Sequence, residues 1–165
     1  MNLANERKLD LPIIKNVFAK NESRKNAAIS KIVSHLNSVT DKTIGIFGLT
    51  YKAGTKTLRR SRSMEIAQEL KKLGATLKLH DPEAEEVEIS TYGQFDFSRD
   101  PYKIAEGADA LIFITPWPSF KNLDLPKLSN LAKSKALFFD TSNFFWDKEE
   151  KIKKIGFTYL GIGRS

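Results

Sequence analysis

Short, largely apolar segments alternate with amphipathic helical segments along most of this chain. The apolar segments are residues 43–47, 76–80, 110–115, 136–139 and 157–160. Helical patterns separate them at residues 64–73, 101–106, 123–133 and 147–155. Runs of apolar residues in strands are typical of parallel sheets that helices cover on both faces. The sequence therefore predicts an α/β fold of the Rossmann-like, doubly wound class, with a mostly parallel sheet of about five strands.

A long N-terminal helix is predicted ahead of this α/β unit. Apolar residues recur at helical spacing through residues 11–36, and charged residues occupy the remaining faces. The stripe consists of Leu11, Ile14, Phe18, Ala28, Ile32 and Leu36. A helix of this length beside a compact domain packs on another module or another subunit, or forms a simple N-terminal arm. We divide the chain into this helical segment, residues 1–38, and a domain of residues 39–165.

Residues 83–99 interrupt the alternation of strands and helices. The segment is acidic at first and then polar and aromatic, which indicates an excursion from the domain rather than a second domain. Glu85, Glu86 and Glu88 lie in its acidic part. We interpret these three carboxylates as a solvated surface run.

The turn after the first predicted strand is crowded with cations. Interspersed with threonines and serines, they are Lys52, Lys56, Arg59, Arg60 and Arg62. A strand, a loop and a helix N-terminus offer free N–H groups and a positive dipole end to a phosphate, and the cations add charged donors. Lys52 and Arg59 flank Gly54 and Thr55, which suit a tight turn, and both are placed to reach one diphosphate. A solvated basic loop is the alternative that the spacing leaves open.

The familiar nucleotide fingerprints are absent from this turn. Gly45 and Gly48 are three apart, and Tyr51 and Lys52 stand where G-x-G-x-x-G would require small residues. The P-loop pattern G-x-x-x-x-G-K-[ST] does not occur either. The turn therefore predicts neither an NAD site of the usual kind nor a P-loop.

Three residues that follow later strands have both a structural and a ligand-binding interpretation. Asp81 resembles a ribose-binding acid, but Asp-Pro is also a common strand-ending turn, and we favour the structural role. Trp117, between two prolines, either stacks on a base or plugs the structure, and the plug is the commoner use. Asn143 either bonds a ligand or caps the following turn.

Composition narrows the function classes. A net charge of +7 favours anionic partners without distinguishing a nucleotide from a nucleic acid. The chain has no cysteine and only two histidines, which argues against a disulfide, a thiol nucleophile or a zinc site, so no metal is expected. No apolar run approaches the roughly 20 residues that span a bilayer, and the N-terminus is not a signal peptide. We therefore expect a cytoplasmic protein with no membrane partner.

Several motifs in matching order resemble the C-terminal, UDP-sugar-binding portion of the UDP-glucose and GDP-mannose dehydrogenase family. The first, GIFGLTYKAGTKTLRRS at residues 45–61, is similar to the family signature G-L-[AT]-[FY]-K-x-x-T-x-D-x-R-x-S. It is followed by LHDPEA, TPWPSF, DTSNFF and GFTYLGIGR. Upstream, NESRKNAAISKIVSHLNS resembles the end of the helix that links the two halves of these enzymes. The resemblance covers residues 11–164.

The resemblance implies a segment of an NAD-dependent enzyme of nucleotide-sugar metabolism and polysaccharide biosynthesis. Relatives oxidise the C6 alcohol of a UDP-sugar to a uronate through a covalent cysteine intermediate. It implies that Tyr51 and Lys52 contact the UDP-sugar, and that Arg59 reaches toward NAD held mainly by an N-terminal domain. The linking helix forms the homodimer contact in relatives. Because the N-terminal NAD domain and the catalytic cysteine would precede this chain, the chain alone is not expected to be active.

The sequence departs from the family pattern at both ends of the expected substrate site. Lys56 and Thr57 replace the acidic part of the signature, and Arg60 replaces the usual Glu after the Arg. Ser142 stands where many relatives carry a substrate-binding Arg, and we include it among the substrate-binding residues. An inactive basic module that binds nucleic acid or another polyanion is the alternative function, although nucleic acid is the less expected partner. A structural role, as a dimerising segment, is a third hypothesis.

Overall fold

A six-stranded sheet forms the centre of the computed structural model, which describes residues 12–163, with the side chains of residues 20 and 22–163. The strands are β1 (Thr43–Phe47), β2 (Thr76–His80), β3 (Asp96–Phe97), β4 (Ala110–Phe113), β5 (Leu137–Asp140) and β6 (Thr158–Gly161). Every neighbouring pair is parallel. Their order is β3-β2-β1-β4-β5-β6, so the chain order reverses between β1 and β4. The predicted doubly wound fold is confirmed, with six strands in place of about five.

One helix precedes the sheet and the others lie between its strands, and three of them begin at side-chain caps. The helices are α1 (Pro12–Leu36), α2 (Arg62–Lys72), α3 (Glu86–Ser90), α4 (Pro101–Ala105), α5 (Leu125–Leu131) and α6 (Glu149–Lys154), with 3₁₀ turns at Pro118–Asn122 and Trp146–Lys148. The side chains of Ser61, Asp100 and Asp124 accept hydrogen bonds from N–H groups in the first turns of α2, α4 and α5. Such oxygen acceptors satisfy donors that a helix start leaves free. Among the described residues, no helix combines the length and the apolar character needed to cross a membrane.

The two faces of the sheet bury different side chains. One face packs aliphatic residues such as Ile44, Ile46 and Ile112 against α1 and α2. The other face carries an aromatic row in which the rings of Phe47, Phe113 and Phe138 stack at 4.4 and 4.6 Å between centroids. All residues of β4 and β5 are buried. This burial on both faces explains why their sequences read as continuous apolar runs.

The described part of α1 packs along one side against its own domain. Ala28 and Ile32 are buried in the aliphatic core, and Leu36 packs partly against it. The Lys31 ammonium donates to the carbonyl of Gly161 at 3.4 Å. Of the predicted stripe, Leu11 lies outside the described residues, as do the side chains at positions 14 and 18. The division at residue 38 stays a prediction.

Residues 83–99 contain two elements that the sequence pattern did not predict. Helix α3 is a single turn, and β3 pairs with β2 over only two residues, through Lys78 with Asp96 and Leu79 with Phe97. Elements this short carry no periodicity that distinguishes them from a loop. The segment belongs to the domain, as predicted, but it extends the sheet by one strand.

Candidate functional site

The carboxyl ends of the strands form the edge where this fold is expected to bind ligands. In doubly wound sheets the ligand crevice lies where the strand order reverses, which is between β1 and β4 in this chain. The loops that follow β1, β4 and β5 meet at this edge. We take residues 48–61, which join β1 to α2, as the cationic loop.

The cationic loop is closed by its own hydrogen bonds. The Tyr51 N–H donates to the carbonyl of Thr57 at 3.0 Å, which joins the two arms of the loop, the residues before and after Gly54. The Thr55 hydroxyl donates to the carbonyl of Lys52 at 2.8 Å. Leu58, at the far end of the loop, is fully buried. The loop is therefore an ordered turn rather than a solvated basic tail.

Asp81 holds the cationic loop and the loop after β2 together. Its carboxylate is fully buried and accepts six hydrogen bonds of 2.7 to 3.2 Å, four at Oδ2 and two at Oδ1. The donors are the backbone N–H groups of Leu49, Thr50, Glu83 and Ala84, the Thr50 hydroxyl and the Trp117 indole. No lone pair is left for a ribose, so the structural interpretation of Asp81 is confirmed. The buried Trp117 ring plugs the same region, as its commoner use predicts.

The loop after β4 is tied to the cationic loop. The Thr115 hydroxyl donates to the carbonyl of Thr50 at 2.6 Å, and the Ser61 hydroxyl donates to the carbonyl of Leu49. The sequence did not indicate that either hydroxyl joins the loops, because a threonine or serine in a turn is too common to single out. Together these bonds fix the backbone from which the Tyr51 and Lys52 side chains extend.

A second buried aspartate shapes the loop after β5. Asp140 Oδ2 accepts from the Phe145 N–H at 2.6 Å and from the Tyr159 hydroxyl at 3.1 Å. Its Oδ1 accepts from the N–H of Ser142 at 3.1 Å and from the Ser142 hydroxyl at 3.3 Å. Asn143 donates through Nδ2 to the carbonyl of Ile162 at 3.0 Å. The structure thus gives Asn143 a bridging role between the ends of β5 and β6.

Three of the four predicted site residues lie together in the cationic loop. Tyr51 is 60% exposed, and Lys52 and Arg59 are exposed as well. Ser142 is exposed in the loop after β5, two strands away from β1. With a spacing of about 4.8 Å between neighbouring strands, the two loops are separated by roughly 10 Å at the sheet edge. That distance suits a ligand the length of a nucleoside diphosphate rather than a single ion.

The cations of the loop differ in their partners. The side chains of Lys52, Arg59 and Arg60 make no hydrogen bond or ion pair with any group that the structure describes. Lys56 instead pairs with Glu85 at 3.6 Å, although both side chains are well exposed. Screening by water makes such exposed pairs weak. The unpaired cations form a positively charged rim. An anion that binds there does not have to displace an acidic side chain from them.

The acidic run of residues 85–88 is not wholly a solvated surface, and this corrects the prediction for Glu88, whereas Glu85 and Glu86 are exposed as predicted. Glu88 accepts a hydrogen bond from the Leu58 N–H at 2.9 Å, and Glu85 pairs with both Lys56 and Arg99. The sequence pattern missed this because Leu58 and Glu88 are far apart along the chain. Only the fold of residues 83–99 brings them into contact.

The edge does not have the form of an NAD site. A Rossmann dinucleotide site places a glycine turn directly before a helix N-terminus, whereas here the whole cationic loop separates β1 from α2. The strand-ending Asp81 has both oxygens engaged, so it is not available to a ribose. Nor do the described residues bring three His, Asp or Glu side chains into a cluster that could hold a metal ion.

His80 makes the stability of this edge depend on pH. Burial lowers its pKa below the ordinary histidine value, and its Nδ1–H donates to the carbonyl of Ser98 at 2.9 Å. The unfolded chain therefore binds a proton more readily than the folded chain. We expect the free energy of unfolding to be highest above about pH 6.5 and to fall as the pH drops from there toward the lowered pKa.

Urea unfolding at several pH values between about 7 and 5.5 measures this effect. The fall should be clearly smaller in His80→Gln. His35, an exposed histidine on α1, supplies the control variant His35→Gln, which should keep the slope of the unsubstituted chain. Equal slopes in all three proteins would show that His80 does not carry the effect.

Comparison with known proteins places these loops in a described domain. Residues 45–147 match the model of the UDP-glucose/GDP-mannose dehydrogenase family, UDP binding domain. The UDP-glucose 6-dehydrogenase of Rhizobium meliloti (strain 1021) is 33% identical over 158 residues, which are 94% of this chain and 36% of that protein. The match thus includes the cationic loop and the loop after β5.

Solved structures agree in fold. The structure of a UDP-glucose dehydrogenase from the archaeon Pyrobaculum islandicum superimposes with a TM-score of 0.70 and 26% identity, over 84% of this chain and 31% of that one. The UDP-D-ManNAc dehydrogenase from Pyrococcus horikoshii gives a TM-score of 0.72 at 23% identity, over 98% of this chain and 36% of that one. The chain spans about a third of the length of these relatives.

Proposed function

The chain belongs to the UDP-glucose/GDP-mannose dehydrogenase family, and we propose that it binds the UDP part of a nucleotide sugar at the carboxyl edge of its sheet. The observation that carries the proposal is the cationic loop. It is ordered by hydrogen bonds at the point of strand reversal, and it presents Lys52, Arg59 and Arg60 without partners among the described residues. The match to a UDP binding domain and the geometry of this loop together support the proposal.

Each proposed site residue has a chemical role that its position supports. Lys52 donates charged hydrogen bonds to the diphosphate, whose negative charge an ammonium matches. The exposed ring of Tyr51 lies beside Lys52 and contacts the nucleotide. The hydroxyl of Ser142, with its orientation fixed by Asp140, contacts the ligand from the loop after β5. Arg59, at the outer arm of the loop, reaches toward NAD held by another domain.

The wider activity belongs to the same proposal. Relatives are named UDP-glucose 6-dehydrogenases, and we propose that this chain is the UDP-binding part of such an NAD-dependent enzyme, which oxidises the C6 alcohol of the sugar to a uronate. The chain has no cysteine, so it lacks a thiol nucleophile of its own. It contributes substrate binding, and by itself it should show no dehydrogenase activity.

The setting of the enzyme is proposed on the same grounds. We propose a homodimer formed through residues 1–38 and a cytoplasmic location, as the family resemblance of the sequence implies. Products of this type are precursors for polysaccharides.

The polyanion alternative is less well supported. The family match includes the cationic loop itself. The cations of this loop are gathered in one short ordered turn and are not spread over a broad basic face. Nucleic-acid binding would show as affinity for unrelated duplexes that falls steeply with salt. A nucleotide site should instead prefer uridine diphosphate over other nucleoside diphosphates at constant salt.

Replacing Lys52 by alanine should weaken UDP binding by about ten- to a hundredfold, the range expected for one hydrogen bond to a charged group. Calorimetric titration of the full chain with UDP measures the change. Arg59→Ala should have a smaller effect on UDP, since its proposed contact is with the cofactor. Lys135→Ala is the matched control, because this exposed lysine precedes β5 at the opposite edge of the sheet. Equal losses from Lys52→Ala and Lys135→Ala would refute the assignment.

A further inference from the structure

Leu58 is the anchor of the cationic loop, and side chains from residues 83–99 hold both polar groups of its backbone. The Leu58 side chain is fully buried in the aliphatic core. Its N–H donates to Glu88 Oε1 at 2.9 Å, and its carbonyl accepts from the Tyr92 hydroxyl at 2.8 Å as well as from the Ser61 N–H at 2.8 Å. We call this pair, Glu88 and Tyr92, the Leu58 clamp.

The clamp is itself held in place by neighbouring helices. Glu88 lies in α3, and the backbone carbonyl of Tyr92 accepts from Gln68 Nε2 of α2 at 2.9 Å. Glu88 is half-buried and faces a backbone donor rather than a cation. The Glu88 carboxylate therefore serves as a hydrogen-bond acceptor for one particular backbone group, the Leu58 N–H, and is not simply a charge on the surface.

Leu58 lies next to the residue that joins the two arms of the loop. The carbonyl of Thr57 accepts from the Tyr51 N–H, and the Thr57 hydroxyl accepts from the Arg59 N–H at 3.1 Å. A fixed Leu58 therefore fixes Thr57, and through Thr57 it fixes the backbone at Tyr51 and Arg59. Both proposed contact arms of the site therefore share Leu58 as an anchor point, in addition to the bonds that hold Leu49 and Thr50.

We infer that Glu88 and Tyr92 are positioning residues for the anion site, acting through Leu58 and touching no ligand. This inference rests on the proposed function, because the site that they position is the proposed UDP site. Loss of the clamp should lower the fraction of chains in which the loop is binding-competent, and the apparent affinity falls by that fraction.

Four variants of the full chain test the inference. Glu88→Ala and Tyr92→Phe should each weaken UDP binding about three- to tenfold in calorimetric titration, with the loop partly open. Glu88→Gln keeps an amide oxygen that accepts from the Leu58 N–H, so it should bind UDP as the unsubstituted chain does. Glu86→Ala removes an exposed carboxylate from the same helix and should change nothing.

Unchanged UDP affinity in both Glu88→Ala and Tyr92→Phe would overturn the inference. So would a Glu88→Gln variant as weak as Glu88→Ala, because charge rather than the hydrogen bond would then be responsible.

Amide hydrogen exchange separates failure of this inference from failure of the proposed function. Glu88→Ala should speed exchange at the Tyr51 amide, which is not itself bonded to Glu88, while the amides of β1 and β4 keep their protection. Glu86→Ala should leave Tyr51 unchanged. This readout needs no UDP, so it tests the clamp even in a chain that binds no nucleotide. Equal exchange at Tyr51 in the two variants would refute the clamp, as would a uniform increase across the sheet.

Discussion

Replacing Asp81 by asparagine should lower the free energy of unfolding by roughly 3 to 5 kcal/mol. An isosteric amide puts an –NH₂ group where one carboxylate oxygen now accepts. In either orientation it faces two backbone N–H groups, those of Leu49 and Thr50 or those of Glu83 and Ala84. Each buried donor left without an acceptor costs about 1 to 3 kcal/mol, and the remaining bonds lose their charge. Against a total stability of about 5 to 15 kcal/mol, this leaves a marginal fold.

Urea unfolding followed by circular dichroism measures the loss. Asp96→Asn is the matched control, since Asp96 is exposed on the short edge strand β3. It should change the free energy of unfolding by no more than about 0.5 kcal/mol, as surface substitutions do. If Asp81→Asn lowered the free energy of unfolding as little as Asp96→Asn does, the hydrogen bonds to the Asp81 carboxylate would not be what holds the two loops together.

Replacing Gly48 by alanine should destabilise the chain by about 3 kcal/mol or more. Gly48 has φ +84°, and a Cβ built there would lie 2.3 Å from the carbonyl oxygen and 2.8 Å from the nitrogen of Thr115. The positive φ alone costs an alanine about 1 to 2 kcal/mol. The overlap with backbone atoms adds to this, because β1 and β4 would have to separate where their order reverses.

Gly54 is an internal control for the free-energy cost of placing an alanine at positive φ. It has nearly the same φ, +82°, but a Cβ at Gly54 meets no atom within 4 Å. Gly54→Ala should therefore cost only about 1 to 2 kcal/mol. Thermal unfolding of the two variants isolates the close approach to Thr115. Equal losses would mean that the contact between the two strand ends adjusts freely, contrary to this structure.

The fold was predictable because its central strands are buried on both faces. Ile44, Ile46 and Phe47 point to two different cores, so apolar residues follow one another and mark the strand. Strand β3 escaped prediction because two residues paired at the sheet edge need no such pattern. Glu88 was taken for solvated surface because nothing near it in the sequence marks its contact with Leu58.

The candidate site was predictable only in part. The cations of residues 48–61 stand out in the sequence, and their loop does lie at the ligand-binding edge. Besides its own hydrogen bonds, that loop is held by distant parts of the chain, through Asp81, Glu88 and Tyr92, whose partners in the loop are 30 to 34 residues away. A buried carboxylate that accepts backbone N–H groups looks the same in sequence as a surface acid. Only tertiary contact distinguishes the two.

Titration of the isotope-labelled full chain with UDP, followed by amide chemical shifts, shows whether UDP binds at the carboxyl edge of the sheet, as we claim. We expect saturable shifts at millimolar UDP or below, confined to residues 48–61 and to the loop after β5, with uridine binding more weakly because it lacks the diphosphate. The absence of shifts at millimolar UDP would contradict the claim. Shifts concentrated at the opposite edge of the sheet would contradict it equally.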